Sequence, residues 1–173
     1  GGALGLFFFF VCGIGRALVA GGRGVLYGAL AHGIALAVAL SIVGHISGGH
    51  FNPAVTLAMV ATRRMSVTLG VLYIVGQIVG GILSCLVLLL TMPNAGTLLS
   101  MSATPNPAAD VNFLQAILLE AVLTFFLVLA VFGTAVDRRA PKIGGFGIGL
   151  AVFAGILFAG PFTGGAMDPP RDS

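Results

Sequence analysis

Charge is what this sequence has least of. Asp, Glu, Lys and Arg make up 8% of its 173 residues, against 58% hydrophobic residues, and the mean hydropathy is +1.11. A soluble domain needs more polar side chains than that to cover its surface, so the composition is that of a membrane protein. Cysteine is scarce as well. Cys12 and Cys85 both fall inside apolar runs, which argues against a disulfide framework or a zinc site and for small buried apolar residues. The formal charge of +3 is too small to suggest a nucleic-acid partner. No grouping of Ser, His and Asp, and none of metal ligands, argues for an enzyme or a cofactor, and a metal site at His45 and His50 is the weaker reading of those histidines.

Glycine, by contrast, is abundant, with 27 residues. In lipid, small residues let helix backbones approach closely, which suits a packed all-α transmembrane bundle; Gly76 and Gly80, and Gly145 and Gly149, have the four-residue spacing of such contacts. A spanning helix needs about 20 apolar residues, because a core of roughly 30 Å is crossed at about 1.5 Å per residue. The runs 25–44, 65–92, 111–136 with its single charge at Glu120, and the short, Gly-rich 143–161 are read as spans. A further run, 1–15, is too short to cross and begins as if inside a helix; a signal peptide is the alternative, but no basic segment or cleavage site accompanies it.

Basic residues fall unevenly between these runs. Arg16 and Arg23 follow the first, Arg63 and Arg64 the second, and Arg138, Arg139 and Lys142 the fourth, while the connection 93–110 has none. The positive-inside rule then puts the second and fourth connections, and the N-terminus, in the cytoplasm of a multi-pass protein.

The two halves repeat. Phe7-Phe8 matches Phe125-Phe126 and Gly15 matches Gly133 at an offset of 118; Gly33 matches Gly149, Ala35 Ala151, Gly48-Gly49 Gly164-Gly165, and Pro53 Pro169 at an offset of 116. With the run 1–15 counted as a helix that the sequence enters part-way, the first unit, 1–92, holds three spans, an odd number, so the second, 111–173, enters the membrane the opposite way up. Such an inverted repeat in a single domain over 1–173 places its working site near the midplane where the halves meet.

In each half a Gly-Gly pair precedes Asn52-Pro53 or Asp168-Pro169. Pro suits the first position of a helix, and Asn or Asp the cap before it, so each reads as a helix start. The stretch from Phe51 to Val60 reaches only halfway across a bilayer. Two half-helices meeting end to end leave the Gly-rich backbone before them unpaired, which lipid permits only where it lines a watery path. With SGGHFNPAVT at 47–56, TGGAMDPPR at 163–171 and EAVLTFF at 120–126, the sequence resembles the aquaporin, or major intrinsic protein, family over nearly its whole length. A second Asn-Pro-Ala, at 106–108, lacks the Gly-Gly and the following helix and is a coincidence.

The resemblance implies three transmembrane helices plus a half-helix in each repeat, and a chain that stops short of a sixth span. It implies a passive channel for water, with ammonia or small neutral solutes such as glycerol as further candidates, assembled as a homotetramer in the lipid bilayer. An ion-coupled secondary transporter and a non-conducting scaffold or degenerate copy are the alternatives. The pore centre falls on Asn52, Pro53, Ala54, Asp168, Pro169 and Pro170, the pore-lining loops on Gly48, Gly49, His50 and Gly164, and the outer filter on His32, Ile156, Gly165 and Arg171. Two positions depart from the family: Asp168 replaces its usual Asn and Pro170 its usual Ala. An ionised Asp only accepts hydrogen bonds, and its charge is about enough to cancel two half-helix ends of roughly +0.5 each, the charges that resist cations and protons. The filter set resembles that of plant vacuolar-membrane aquaporins that pass ammonia, whereas Asp172 is closer to the glycerol branch. Glu120 is implied to brace a half-helix loop through backbone N–H groups; its repeat mate is Gly2. Gln77 is read as an interhelical hydrogen bond.

Overall fold

The computed structural model describes residues 24–91, 111–160 and 162. The run 1–15, Arg16 and Arg23, the connection 93–110, and the second motif with Gly164, Gly165, Asp168, Pro169, Pro170, Arg171 and Asp172 lie outside them.

Every element among the described residues is a helix: α1 (Gly24–Ser47), α2 (Pro53–Ala61), α3 (Val67–Thr91), α4 (Phe113–Val131), a π-turn (Phe132–Val136) that continues α4, and α5 (Phe146–Ala159). Helices suit these apolar runs because a helix satisfies its backbone groups within itself, as lipid demands. Val25–Ser47, Val67–Thr91 and Phe113–Val136 are each long and apolar enough to span a membrane. α5, at 14 residues, is about 21 Å long and falls short of a roughly 30 Å core. Much of the apolar surface faces outward: Leu72 is 62% exposed, Phe125 62% and Leu90 86%. Such a surface needs lipid or another protein against it. Cys85 is also exposed rather than buried; a small apolar side chain on a lipid-facing helix side needs no burial.

α4 opens on a capping box. The Asn112 side chain accepts from the Gln115 N–H and the Gln115 side chain from the Asn112 N–H, each at 2.9 Å. It closes with the π-turn, where the Asp137 N–H reaches back to the Phe132 carbonyl at 2.9 Å. Gly133 weakens the helix there, and the Thr134 hydroxyl donates to the Ala130 carbonyl at 2.7 Å, a bond that bends helices. Hydropathy reads 111–136 as one uniform span and misses this widening.

α1 and α5 form the most extensive helix contact. They run antiparallel, since Val25 meets Gly160, Gly33 meets Gly149, and Ser41 meets Gly144. A Cβ on Gly33 would stand 2.7 Å from the Gly149 carbonyl oxygen, and one on Gly149 would collide with the Gly33 carbonyl. The contact is reciprocal. The further neighbours, Phe153 for Gly33 and Ala37 for Gly149, are again separated by the repeat offset of 116. Of the two spaced glycine pairs, Gly145 and Gly149 both lie in this contact, whereas a Cβ on Gly76 would meet nothing within 4 Å.

Substitution separates these roles. Gly149→Ala pushes two backbones apart and is expected to lower stability by about 1–3 kcal/mol or more. Gly76→Ala is expected to raise it by up to about 1 kcal/mol, by removing a flexible residue from a helix interior. Thermal unfolding of the detergent-solubilised protein reads both; equal effects would show that the close approach is not needed.

Candidate functional site

Five residues, Gly48 to Asn52, connect α1 to the short α2. Gly48 and Gly49 take φ values of +74° and +61°, which other residues rarely adopt, and a Cβ on Gly49 would lie 2.5 Å from Leu40 Cδ2. Chain reversal and close packing on α1 therefore both require the Gly-Gly pair. Asn52, extended at φ −135° and ψ 129°, caps α2 by accepting the Ala54 N–H at 2.7 Å on Oδ1. Pro53 occupies the first helical position, where its missing N–H costs nothing. Because Oδ1 is committed to the cap, the Nδ2 hydrogens are the part of Asn52 left to donate to a small molecule.

α3 holds this connection by its backbone. Tyr73 donates to the Ser47 carbonyl and Gln77 to the His50 carbonyl, both at 2.5 Å, and Gln77 Nε2 also reaches Thr56 Oγ1 of α2 at 3.0 Å. Tyr73 and Gln77 are four residues apart, hence on one face of α3. Gln77 is thus the interhelical bond expected of it. The His50 ring lies tilted against Tyr73 with centroids 5.3 Å apart. Beneath α2, Phe51, Val55 and Met59 pack with Leu36, Ala39 and Val43 of α1, Val131 of α4 and Ile148 of α5. Thr56 is completely buried, and a Cβ on Gly70 of α3 would stand 2.6 Å from Val60.

A cavity of about 820 Å³ lies between this connection and α1, α4, the π-turn and α5. Gly48, Gly49, His50, Asn52, Pro53, Glu120 and Ile156 line it, as do Ser41, His45, Thr124, Thr134 and Lys142, which sequence reasoning did not assign to it. Nothing in the spacing of those five marks them, because tertiary packing brings them together from three elements and a connection. Ala54 and His32 are outside the lining. His32 is half-buried on α1, with Nδ1 2.8 Å from the Gly28 carbonyl oxygen. Glu120 stands on the cavity wall, and none of the described hydrogen bonds ties it to the 48–52 backbone. The N-terminus of α2 opens on the same cavity, bringing about half a positive charge to it. Among the described residues no three His, Cys, Asp or Glu side chains group as metal ligands.

The family model for major intrinsic protein matches residues 3–173, a stretch that takes in this capped short helix and the spanning helices around the cavity. The chain belongs to the major intrinsic protein family. Aquaporin TIP4-4 of Zea mays is 41% identical over 179 residues, covering 95% of this chain and 68% of the relative. Probable aquaporin TIP2-2 of Arabidopsis thaliana is 40% identical over 86% of this chain and 58% of its own length, and Aquaporin TIP2-1 of Zea mays 40% over 83% and 56%. This aquaporin-family chain therefore spans a little over half to two thirds of the relatives it matches. These relatives are named aquaporins.

The anchors from α3 can be weighed directly. Gln77→Leu leaves the His50 carbonyl and Thr56 without their donor and is expected to cost about 1–3 kcal/mol, more than the roughly 1 kcal/mol of Tyr73→Phe. Thermal unfolding reads the difference; a harmless Gln77→Leu would show that the connection holds itself.

Proposed function

We propose that the protein containing this chain is a passive channel through which water crosses the membrane in contact with Asn52. The observation that carries this reading is the capped half-helix, whose positive end and amide donors open on a cavity among spanning helices. Binding there is by hydrogen bonds that a passing water exchanges easily, while the helix end repels cations. Kinship with proteins named aquaporins supports the same reading.

The finer assignments are part of the proposal. One channel domain runs over 1–173, with its repeats at 1–92 and 111–173. Asp168, Pro169 and Pro170 start the second half-helix opposite Asn52, Pro53 and Ala54; Gly164 joins Gly48, Gly49 and His50 along the path; His32, Ile156, Gly165 and Arg171 form the outer constriction, where Arg171 donates to permeating oxygen atoms and repels cations. Glu120 braces a half-helix loop. Ammonia and small neutral solutes such as glycerol are further permeants, the bilayer is the medium, four copies assemble, and the N-terminus is cytoplasmic. The reciprocal contact of Gly33 with Gly149 supports the two-fold relation of the repeats, and the Arg64 to Phe132 contact, with a guanidinium 5.8 Å from the ring centre, supports a common side for the two basic connections.

Stopped-flow light scattering of liposomes carrying the full-length protein tests the reading. Shrinkage under an impermeant osmolyte is expected well above that of empty liposomes, with weak temperature dependence. Saturable, ion-dependent flux would point instead to a coupled transporter, and rates no faster than lipid to a scaffold. A proton leak that falls in Asp168→Asn would report an ionised carboxylate at the pore centre.

A further inference from the structure

Tertiary structure gathers basic residues from two distant connections at one end of the bundle. Arg63 and Arg64 close α2 in a Schellman turn: their N–H groups donate to the Val60 and Met59 carbonyls, each at 2.9 Å, with Arg63 itself at φ 57°. Arg138, Arg139 and Lys142 follow the π-turn. The two groups are brought near each other, since the Arg64 guanidinium lies 5.8 Å over the ring of Phe132, in the π-turn that leads to the second group. Asp137, held below its usual carboxylate range by hydrogen bonds from Arg139 and, to a smaller degree, by the charge of Arg64, stays ionised at neutral pH.

Among the described Arg and Lys residues only Arg139 is in an ion pair. Its Nε and Nη2 donate to the two oxygens of Asp137 at 3.1 and 3.0 Å. Arg63, Arg64, Arg138 and Lys142 are exposed and, among the described residues, in no ion pair; Lys142 also borders the cavity. Their depth follows from the half-helix: nine residues carry the chain about 13 Å, roughly half of a 30 Å hydrocarbon core, so a helix beginning near the midplane delivers its arginines at one headgroup layer. Apolar side chains adjoin them at the next helix starts, with Val67 69% and Phe146 58% exposed.

We propose that Arg63, Arg64, Arg138 and Lys142 form a docking surface for anionic phospholipid headgroups in the leaflet where α2 ends. Four cations that form no ion pair among the described residues, in two connections brought near each other by the Arg64 to Phe132 contact, offer phosphate oxygens more contacts than a zwitterionic headgroup can use, because its own ammonium is repelled. The neighbouring apolar side chains suit the acyl chains of a lipid and give nothing to a free anion. This inference is independent of what the channel conducts.

Native mass spectrometry of the full-length protein in detergent, with dioleoyl phosphatidylglycerol and dioleoyl phosphatidylcholine as probes, tests it. The anionic lipid is expected to bind several-fold better, and less so as ionic strength rises. That preference should fall to near parity in R63Q/R64Q/R138Q/K142Q and persist in D137N/R139Q, which removes the neutralised pair at unchanged net charge. If the fourfold variant does not fold, R63Q/R64Q and R138Q/K142Q are each expected to lose part of the preference. Equal binding of the two lipids, an unchanged preference in the variants, or full displacement of the lipid by millimolar inorganic phosphate would overturn the proposal.

Discussion

Backbone that enters a bilayer without completing a spanning helix has to find hydrogen bonds that lipid does not supply, and the architecture of this chain is organised around that demand. The connection 48–52 meets it from three directions. Gly48 keeps the helical bond of its N–H to the Gly44 carbonyl at 2.9 Å; Asn52 caps α2 with its side chain; and from α3 Gln77 donates to the His50 carbonyl and Tyr73 to that of Ser47, where α1 ends. Gly48, Gly49, His50 and Asn52 of the same connection also line the cavity. On the proposed function, structural need and permeation chemistry are the same requirement seen from two sides, because a carbonyl or amide that protein does not satisfy is available to a solute.

Holding such a connection rigidly depends on the helices around it approaching closely. In lipid no hydrophobic force draws helices together, so contact area and small residues do it. The Gly33 to Gly149 crossing brings two backbones together, and Gly145 adds a second close approach to Ala37 and Leu40. At the same end the Ser41 hydroxyl accepts the Gly145 N–H at 3.1 Å, tying the start of α5 to α1. The cavity thus has a wall whose position is fixed by backbone contact rather than by flexible side chains.

Charge follows a different logic. Among the described residues the arginines and the lysine all lie in the 63–64 and 138–142 stretches, and the carboxylates are Glu120 and Asp137. The spans themselves can remain almost free of charge because the polar work of the site is done by amides, hydroxyls and backbone dipoles, which lipid tolerates far better than ions. Glu120, at the cavity, is the one Asp, Glu, Lys or Arg within the described spans.

Much of this was legible in the sequence. Hydropathy and length determined the three spans, since a bilayer imposes a minimum apolar run; Gly-Gly followed by Asn-Pro determined where α2 starts, because positive φ, a side-chain cap and a missing N–H each belong to particular residue types. Other features only the tertiary structure decided. That Gly149 is a contact and Gly76 is not, that His32 stands outside the cavity while His45 and Lys142 line it, and that Arg64 meets Phe132 all depend on which helix faces pack together. A helix that is apolar on every side carries no amphipathic stripe to announce its inward face, so in lipid the pattern that reveals packing in soluble proteins is absent, and only the fit of one backbone against another settles it.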